Sequence, residues 1–365
     1  MPTIQQIIQQ LEILAPPSYQ ESYDNAGLIT GRPEWELTGA LVSLDATEDI
    51  VAEAIRENCN LIIAHHPIVF KGLKKLNGNN YVERTIISAI QHQIAIYAIH
   101  TNLDNVAGGV NFKIAQKLKL EKVKILAPKK QVLQKLVTFV PLEHTTTVLN
   151  ALYEAGAGNI GNYSHCSFRS KGSGTFLPNE QANPHTGQPN KPEEVQEERI
   201  EVILPAYLSH KVIAALQQSH PYEEVAYYLT ALENAYQNVG AGIIGQLAEP
   251  MDDLDFLHYL KAEMQVSCVR HTARLHKPVQ RIALCGGAGI FLLPDALRQK
   301  ADVFITADVK YHEFFDAEGK LILADIGHYE SEVFTKELIA TYLSEKFRNI
   351  ALILSKTVTN PINYL

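Results

Sequence analysis

A chain of 365 residues, 46% hydrophobic and 20% charged, has room for two or three domains and enough apolar side chains for a sizeable core. Its net charge of −8, with no basic block interleaved with aromatics, argues against nucleic acid as a partner. No apolar run approaches the ~20 residues needed to span a bilayer. Cys59, Cys166, Cys268 and Cys285 lie far apart without CxxC spacing, which speaks against a disulfide framework or a zinc finger and for reduced thiols in a cytoplasmic protein.

The first stretch, MPTIQQIIQQLEIL, reads as an amphipathic helix with Ile4, Ile7, Ile8, Leu11 and Leu14 on one face. It has no basic region before an apolar core, so it is expected to belong to the fold and not to be a signal peptide. A polar turn region follows, then a strand over 39–47, a helix TEDIVAEAIREN and a buried strand Leu61 to Ala64. Strand, helix, strand in about 30 residues is a βαβ unit, which pairs its strands in parallel. A Gly, Asn and Lys-rich loop leads to the helix YVERTIISAIQHQ, the strand IAIYAI and, after HTNLDN, the helix GGVNFKIAQKL.

From about residue 129 the pattern changes. KLVTFVP and RIEVILP are strands ending in Pro141 and Pro205, each followed by a helix. With NYSHCSFRS and EVAYYLTAL as further strands, this weak repeat suggests a ferredoxin-like α+β domain over 129–244. GSGTFLPNEQANPHTGQPNKPEE reads as an exposed loop with a solvated His185. GAGNIGNY and NVGAGIIG read as turns, and HPYEEVAYY as loop plus strand. The α/β pattern then resumes, with strands at 279–287, 302–308, 321–327 and 351–357 and a last helix carrying Val333, Phe334, Leu338, Tyr342 and Leu343. The economical architecture is an α/β core, 1–128 with 245–365, interrupted by the inserted domain, with both flanks contributing to one site.

Four clusters of metal-ligating residue types sit where strands run out: His65 and His66; His100 with Asp104; Asp308 with His312; His328 with Glu332. Neighbouring side chains on extended backbone point to opposite sides, so His65 and His66 would not chelate one ion side by side. They are two satisfied polar residues at a strand end, or they serve different ions, or the strand has already turned at Pro67. His100 and Asp104 flank TNL, a loop able to fold them together or simply to make an Asx turn. His328 and Glu332 share a helix face, where Glu332 could chelate or could favour the helix dipole. In open α/β sheets, successive carboxyl ends line one edge, which makes the four clusters a candidate site together. Imidazole and carboxylate without thiols suit zinc, iron, manganese or cobalt. So many ligands fit two ions with a bridging carboxylate, whose chemistry is water activation and substrate polarisation. GGAG at 286–289 opens a helix and reads as a tight turn, or more weakly as an anion nest.

AHHPIVF, IHTNLDN, TADVKYHE and GHYESE, in this order, resemble the GTP cyclohydrolase I type 2 homologue family, whose members are also described as dinuclear-metal-centre, NGG-interacting-factor-like proteins. The insert, with GAGNIGNYSHCSF, GSGTF and HPYEE, is similar to the PII/CutA-like domain of the longer bacterial members. The resemblance implies His65, His66, Asp104, His328 and Glu332 as ligands of two divalent ions. It implies an additional ligand or supporting role for His100, and leaves His312 beside the site as a further candidate for proton transfer. Ala307 replaces the glycine that usually precedes the aspartate of TADVKYHE, which touches none of these ligands. The same resemblance implies a toroidal homohexamer whose sites face an internal cavity, and a small-molecule substrate or effector. The implied activity is hydrolysis of a purine nucleotide, opening guanine at C8 with release of formate. A non-enzymatic metal- or nucleotide-sensing protein is the alternative, carried by the insert.

Overall fold

The computed structural model describes all 365 residues, Met1 to Leu365. They form two compact units, Met1–Ala127 with Asn238–Leu365, and Pro128–Gln237. The mixed α/β fold contains three sheets.

In the larger unit, one sheet has the order Gly27–Thr30, Ala95–Ala98, Leu61–Ala64, Ala40–Ser43, Leu352–Leu354. The last four strands are parallel, and Ala40–Ser43, Leu61–Ala64 and Ala95–Ala98 are buried throughout. A parallel strand covered on both faces needs a continuous apolar run, which is what LIIA and AIYA supply. Helices Glu48–Arg56 and Tyr81–Gln91 bury Ile50, Val51, Ala54, Ile86 and Ala89 in one core cluster with Leu41, Ile62 and Ile96. Their starts are capped as the sequence invites: Thr47 Oγ1 accepts from Ile50 N, and Asn80 Oδ1 from Glu83 N. Helix Thr335–Lys346 packs on Ala40–Ser43 and on the first helix, Ile4–Leu14. Its buried stripe centres on Ile339 and Leu343, whereas Leu338 is only half-buried.

The second sheet of this unit runs Arg270–His271, Ile322–Asp325, Val303–Thr306, Val279–Leu284, Tyr236–Met251, Glu121–Lys129. Val279–Leu284, Val303–Thr306 and Ile322–Asp325 are parallel, flanked by antiparallel neighbours. Two expectations are corrected here. The polar region after the first helix hides the edge strand Gly27–Thr30, antiparallel to Ala95–Ala98, with a register slip between Leu28 and Thr30. NVGAGIIG is not a turn but the middle of strand Tyr236–Met251. Gly242 is nonetheless required there: at φ +59°, an added Cβ would lie 2.9 Å from Leu284 O.

The smaller unit follows the order strand Leu133–Pro141, helix Thr145–Glu154, strands Phe168–Phe176 and Glu193–Pro205, helix Ser209–Ser219, strand Tyr227–Leu232. Its sheet is antiparallel, in the order Phe168–Phe176, Glu193–Pro205, Leu133–Pro141, Tyr227–Leu232. Leu136, Val140, Ile200 and Val202 meet Val148, Leu152, Val212 and Leu216 of the two helices in its core. Pro141 and Pro205 each end a strand and are each followed by a 3-10 turn and a helix. GSGTF, expected in a loop, is the end of strand Phe168–Phe176. Almost every side chain of that edge strand is exposed, so no buried face writes an alternating pattern into the sequence. Gly174 also leaves room for the Glu197 carboxylate, which a Cβ would meet at 2.1 Å.

The chain's last residues are held to the larger unit by one buried carboxylate. Glu53 accepts from Ser355 Oγ at 2.5 Å, Lys356 N at 2.8 Å and Thr357 N at 3.3 Å. Burial works against its charge, but these hydrogen bonds hold its pKa below the ordinary value. A depressed carboxyl stabilises the fold above its unfolded pKa, and that contribution fades as pH falls through the folded value. Glu53→Ala, which leaves several donors unpaired, is expected to lower stability by about 2–3 kcal/mol in urea unfolding at pH 7. The difference from wild type is expected to shrink in acid, and a constant difference down to low pH would contradict this assignment.

Candidate metal centre

The parallel strands of both sheets in the larger unit deliver polar residues to one cavity. His65 and His66 follow Leu61–Ala64, and His100 follows the neighbouring strand Ala95–Ala98. Residues 101–104, expected as a loop, make a single helical turn, which sets Asp104 four residues and one turn beyond His100. His328 and Glu332 begin and end the short helix after Ile322–Asp325. Asp308 follows Val303–Thr306 at φ +55°.

His65, His66, His100, Asp104, His328 and Glu332 converge. Glu332 Oε2 is the focus, 2.9 Å from His66 Nε2, 3.1 Å from His328 Nε2 and 3.9 Å from His65 Nε2. Asp104 Oδ1 lies 3.6 Å from His65 Nε2. Two triads share Glu332: His65 with Asp104, and His66 with His328, the donor atoms of each lying within 4.8 Å of one another. His65, His66 and His100 form a third such group. The expected divergence of His65 and His66 does not occur. The strand ends at Ala64, a bend follows, and the two rings lie 4.9 Å apart with both Nε2 atoms turned to one carboxylate.

Each imidazole is held through Nδ1. His65 Nδ1 donates to Ile99 O at 2.8 Å, and His66 pairs with Asp45 at 2.8 Å. His100 pairs with Asp24, and His328 with Asp308, both at 2.7 Å. A ring fixed through Nδ1 presents Nε2, the arrangement by which supporting carboxylates and carbonyls orient metal-binding histidines. Asp308 therefore belongs with His328 and not with His312. His312 packs against Tyr311 and Phe315 and does not line the cavity.

Electrostatics explain why this grouping is held so tightly. Burial drives the His65 pKa down to about 3, with Glu332 opposing, so the ring is neutral. Its Nδ1 carries the proton given to Ile99 O, so Nε2 is a bare lone pair. That atom is buried without a hydrogen-bond partner and faces carboxylate oxygens of Asp104 and Glu332. Three acceptors turned toward one another in a buried pocket fit a cation between them. Burial, and then Glu332, push the Asp104 pKa well up. Burial opposes the charge on Glu332, but hydrogen bonds from His328 and His66 hold it well down. Burial likewise opposes charge on His66 and His328, yet Asp45 and Glu332 lift the first to about 10, and Glu332 and Asp308 lift the second to about 9. Without a metal, protons on these rings take the cation's place.

GGAG supplies packing. Gly286 N donates to Asn111 Oδ1, Gly287 N to Ser331 Oγ and Gly289 N to Thr306 Oγ1, so these amides are not free to cradle an anion. Gly287 lies against the focal carboxylate, where a Cβ would sit 2.4 Å from Glu332 Oε1 at φ +61°. The cavity over the site has a volume of about 800 Å³, with Tyr23, Phe70, Tyr81, Phe291 and Tyr329 in its wall.

Asp24 and Asp45 escaped sequence analysis. Asp45 ends a strand, as the histidines do, and the same carboxyl-end logic points to it. Asp24 lies in a polar stretch with no such signal.

A family model described as Duf34/NIF3 (NGG1p interacting factor 3) matches residues 2–361. The GTP cyclohydrolase 1 type 2 homolog of Halalkalibacterium halodurans is 40% identical over 367 residues, covering 99% of this chain and 98% of the relative. The protein of the same name in Bacillus subtilis is 38% identical, again over 99% and 98% of the two chains. The crystal structure of a Bacillus cereus protein related to NIF3 matches with a TM-score of 0.89 at 38% identity, covering 100% of this chain and 99% of that one.

The raised His66 and His328 give a direct test. Both are charged at pH 7 in the metal-free chain and must be neutral to ligate. Their charges stabilise the metal-free fold fully below the unfolded histidine value, and the effect is lost as pH rises through about 9 to 10. Metal loading at pH 7 is therefore expected to release at least two protons per chain, from His66 and His328 and, through its raised pKa, from Asp104, measured by calorimetry in buffers of different ionisation heat. Apparent affinity is expected to rise with pH, and loading without proton release would contradict the assignment.

Proposed function

Because the chain belongs to the Duf34/NIF3 family, we propose that it holds two divalent metal ions through His65, His66, Asp104, His328 and Glu332 and acts as a hydrolase on a purine nucleotide or related small molecule. The observation that carries this reading is the buried, unpartnered His65 Nε2 facing Asp104 and Glu332, with Glu332 shared by both triads. A mixed imidazole and carboxylate set without thiols selects among zinc, iron, manganese and cobalt. Ions so bound would supply activation of water and polarisation of the substrate.

The chain's own residues supply the rest. Tyr23, Phe70, Tyr81, Phe291 and Tyr329 give the cavity faces on which a planar ring can stack. Its volume of about 800 Å³ lies within the usual range for small-molecule sites. His100 is the group best placed to move a proton. Burial pushes the Asp24 pKa up, but hydrogen bonds from His100 and Thr101 bring it down to about 2, so Asp24 stays a carboxylate. It holds His100 Nδ1 and thereby leaves Nε2 to exchange a proton at the cavity.

The order of strands and helices in Pro128–Gln237 supports reading that unit as ferredoxin-like and, with the family membership, as the PII/CutA-like insert. Membership also supports a homohexamer, and four free cysteines support a cytoplasmic setting. No helix is long and apolar enough to cross a membrane.

Turnover of GTP and of a panel of phosphoesters and amides by the metal-loaded chain tests the hydrolase reading. His66→Ala is expected to lose metal and turnover together, and equal activity in both proteins would sink the proposal. His100→Ala is expected to keep its metal while its rate falls by a factor on the order of 10² to 10⁴.

A further inference from the structure

The smaller unit carries a second cluster of ligating side chains. Glu143 and His144 lie in the 3-10 turn Leu142–His144, between strand Leu133–Pro141 and helix Thr145–Glu154. His185 comes from the segment 177–192 that joins the two strands Phe168–Phe176 and Glu193–Pro205. The sequence alone makes His185 a solvated loop residue. The structure instead sets its ring 5.4 Å from that of His144, edge to face. Glu143, His144 and His185 each bring one ligand atom within 4.8 Å of the other two.

The surroundings hold this geometry in place. Two residues before His185, Asn183 N donates to Glu223 Oε1 at 2.9 Å, fastening the segment to the turn after helix Ser209–Ser219. Tyr222 stands 6.1 Å from the His185 ring, its hydroxyl donating to Glu197 Oε1 at 2.9 Å. His220 packs on Tyr222 with both nitrogens engaged: Nδ1 accepts from Tyr222 N at 3.1 Å and Nε2 donates to Phe139 O at 2.9 Å. His220 is therefore a supporting wall, and the donors left for a ligand are those of Glu143, His144 and His185.

We propose that Glu143, His144 and His185 bind a divalent transition ion of the zinc type, independently of the centre in the larger unit. Two imidazoles and one carboxylate suit zinc, whereas calcium and magnesium take oxygen ligands. Zinc–ligand bonds of ~2.1 Å place tetrahedral donors about 3.4 Å apart, within reach of the exposed Glu143 and His185 and the half-buried His144 by rotation about their own bonds. Three protein ligands leave the fourth position open to water or to a small ligand. Such an ion would tie segment 177–192 to the start of helix Thr145–Glu154, joining parts of the chain some 40 residues apart. A nearby helix N-terminus disfavours a cation, and the Glu143 carboxylate offsets it.

Counting zinc in the full-length chain separates the two centres. Metal-stripped protein is equilibrated with zinc alone, and bound zinc is measured for wild type, His144→Ala/His185→Ala, His66→Ala/Glu332→Ala and, as a surface-histidine control, His210→Ala. The first double variant is expected to bind one equivalent fewer than wild type, and the control the same as wild type. The His66→Ala/Glu332→Ala protein is expected to keep one equivalent, lost on adding His144→Ala/His185→Ala. In that background, zinc at ten times its Kd is expected to slow proteolysis in 177–192 by about tenfold. Wild-type stoichiometry in His144→Ala/His185→Ala overturns the proposal, as does uptake that fails to saturate below about 100 µM, a Kd equivalent to about 5.5 kcal/mol.

Discussion

The larger unit is organised around one buried carboxylate, Glu332, on which the surrounding imidazoles and Asp104 converge. Glu332, Asp104 and the bare Nε2 of His65 are acceptors turned toward one another in a buried place. Burial, and then Glu332, push the Asp104 pKa well up, and hydrogen bonds from His328 and His66 hold that of Glu332 well down against burial, so the crowding of acceptors is relieved by protons or by a cation. Flexible side chains would swing apart, so the arrangement demands rigid supports. Fully buried parallel strands are such supports, and residues from the ends of Leu61–Ala64, Ala95–Ala98 and Ile322–Asp325 meet here. The helix at 328–332 adds its own constraint by fixing His328 and Glu332 one turn apart on one face. Gly287 belongs to the same solution: only a residue without a Cβ lets the backbone approach the focal carboxylate so closely.

Orientation of the rings is a separate problem with a separate set of residues. Ile99 O, Asp45, Asp24 and Asp308 each take one Nδ1, and none of them has to touch a bound ion. The partner chosen for each ring has a consequence. A carbonyl leaves His65 neutral, while carboxylates on both sides of His66 and His328 favour their charged forms. His100 has a carboxylate partner too, but its nearest ring neighbours are His65 and His66, and Glu332 is not among its contacts. That difference separates its surroundings from those of His66 and His328.

What the sequence revealed and what it concealed divide along physical lines. Strands covered on both faces must be apolar throughout, so Leu61–Ala64 and Ala95–Ala98 were legible from their runs alone. Three of the four polar clusters were legible too, because short-range spacing such as His328 to Glu332 maps onto one helix face, whereas Asp308 joins His328 and not His312. Edge strands bury no face completely and write no such pattern, which is why Gly27–Thr30 read as a polar turn region and the GSGTF half of Phe168–Phe176 as loop. Glycine misled twice, in GSGTF and NVGAGIIG, where it makes room for Glu197 and for Leu284 O inside strands. Asp24 and His100 are separated by 76 positions, and no local rule connects them. The ring orientations at the bend after Ala64 likewise depend on partners distant in sequence, Ile99 O for His65 and Asp45 for His66.

Stability and site geometry are also physically joined. Glu53, on a core helix, fixes Ser355 to Thr357. Two residues later Thr359 donates its hydroxyl to Asp45 Oδ2, and Asp45 through Oδ1 holds His66. Asn360 then binds Glu330, on the helix that carries His328 and Glu332. One short segment therefore runs from the packed core to supports of both triads while also lining the cavity. Its order depends on a handful of hydrogen bonds and little apolar burial, the profile of a region that opens before the rest of a fold does. Loss of those bonds would free Asp45 and with it the His66 ring, even with every ligand still present. The geometry of the candidate centre thus rests as much on a carboxylate in a distant helix as on the residues that face the cavity.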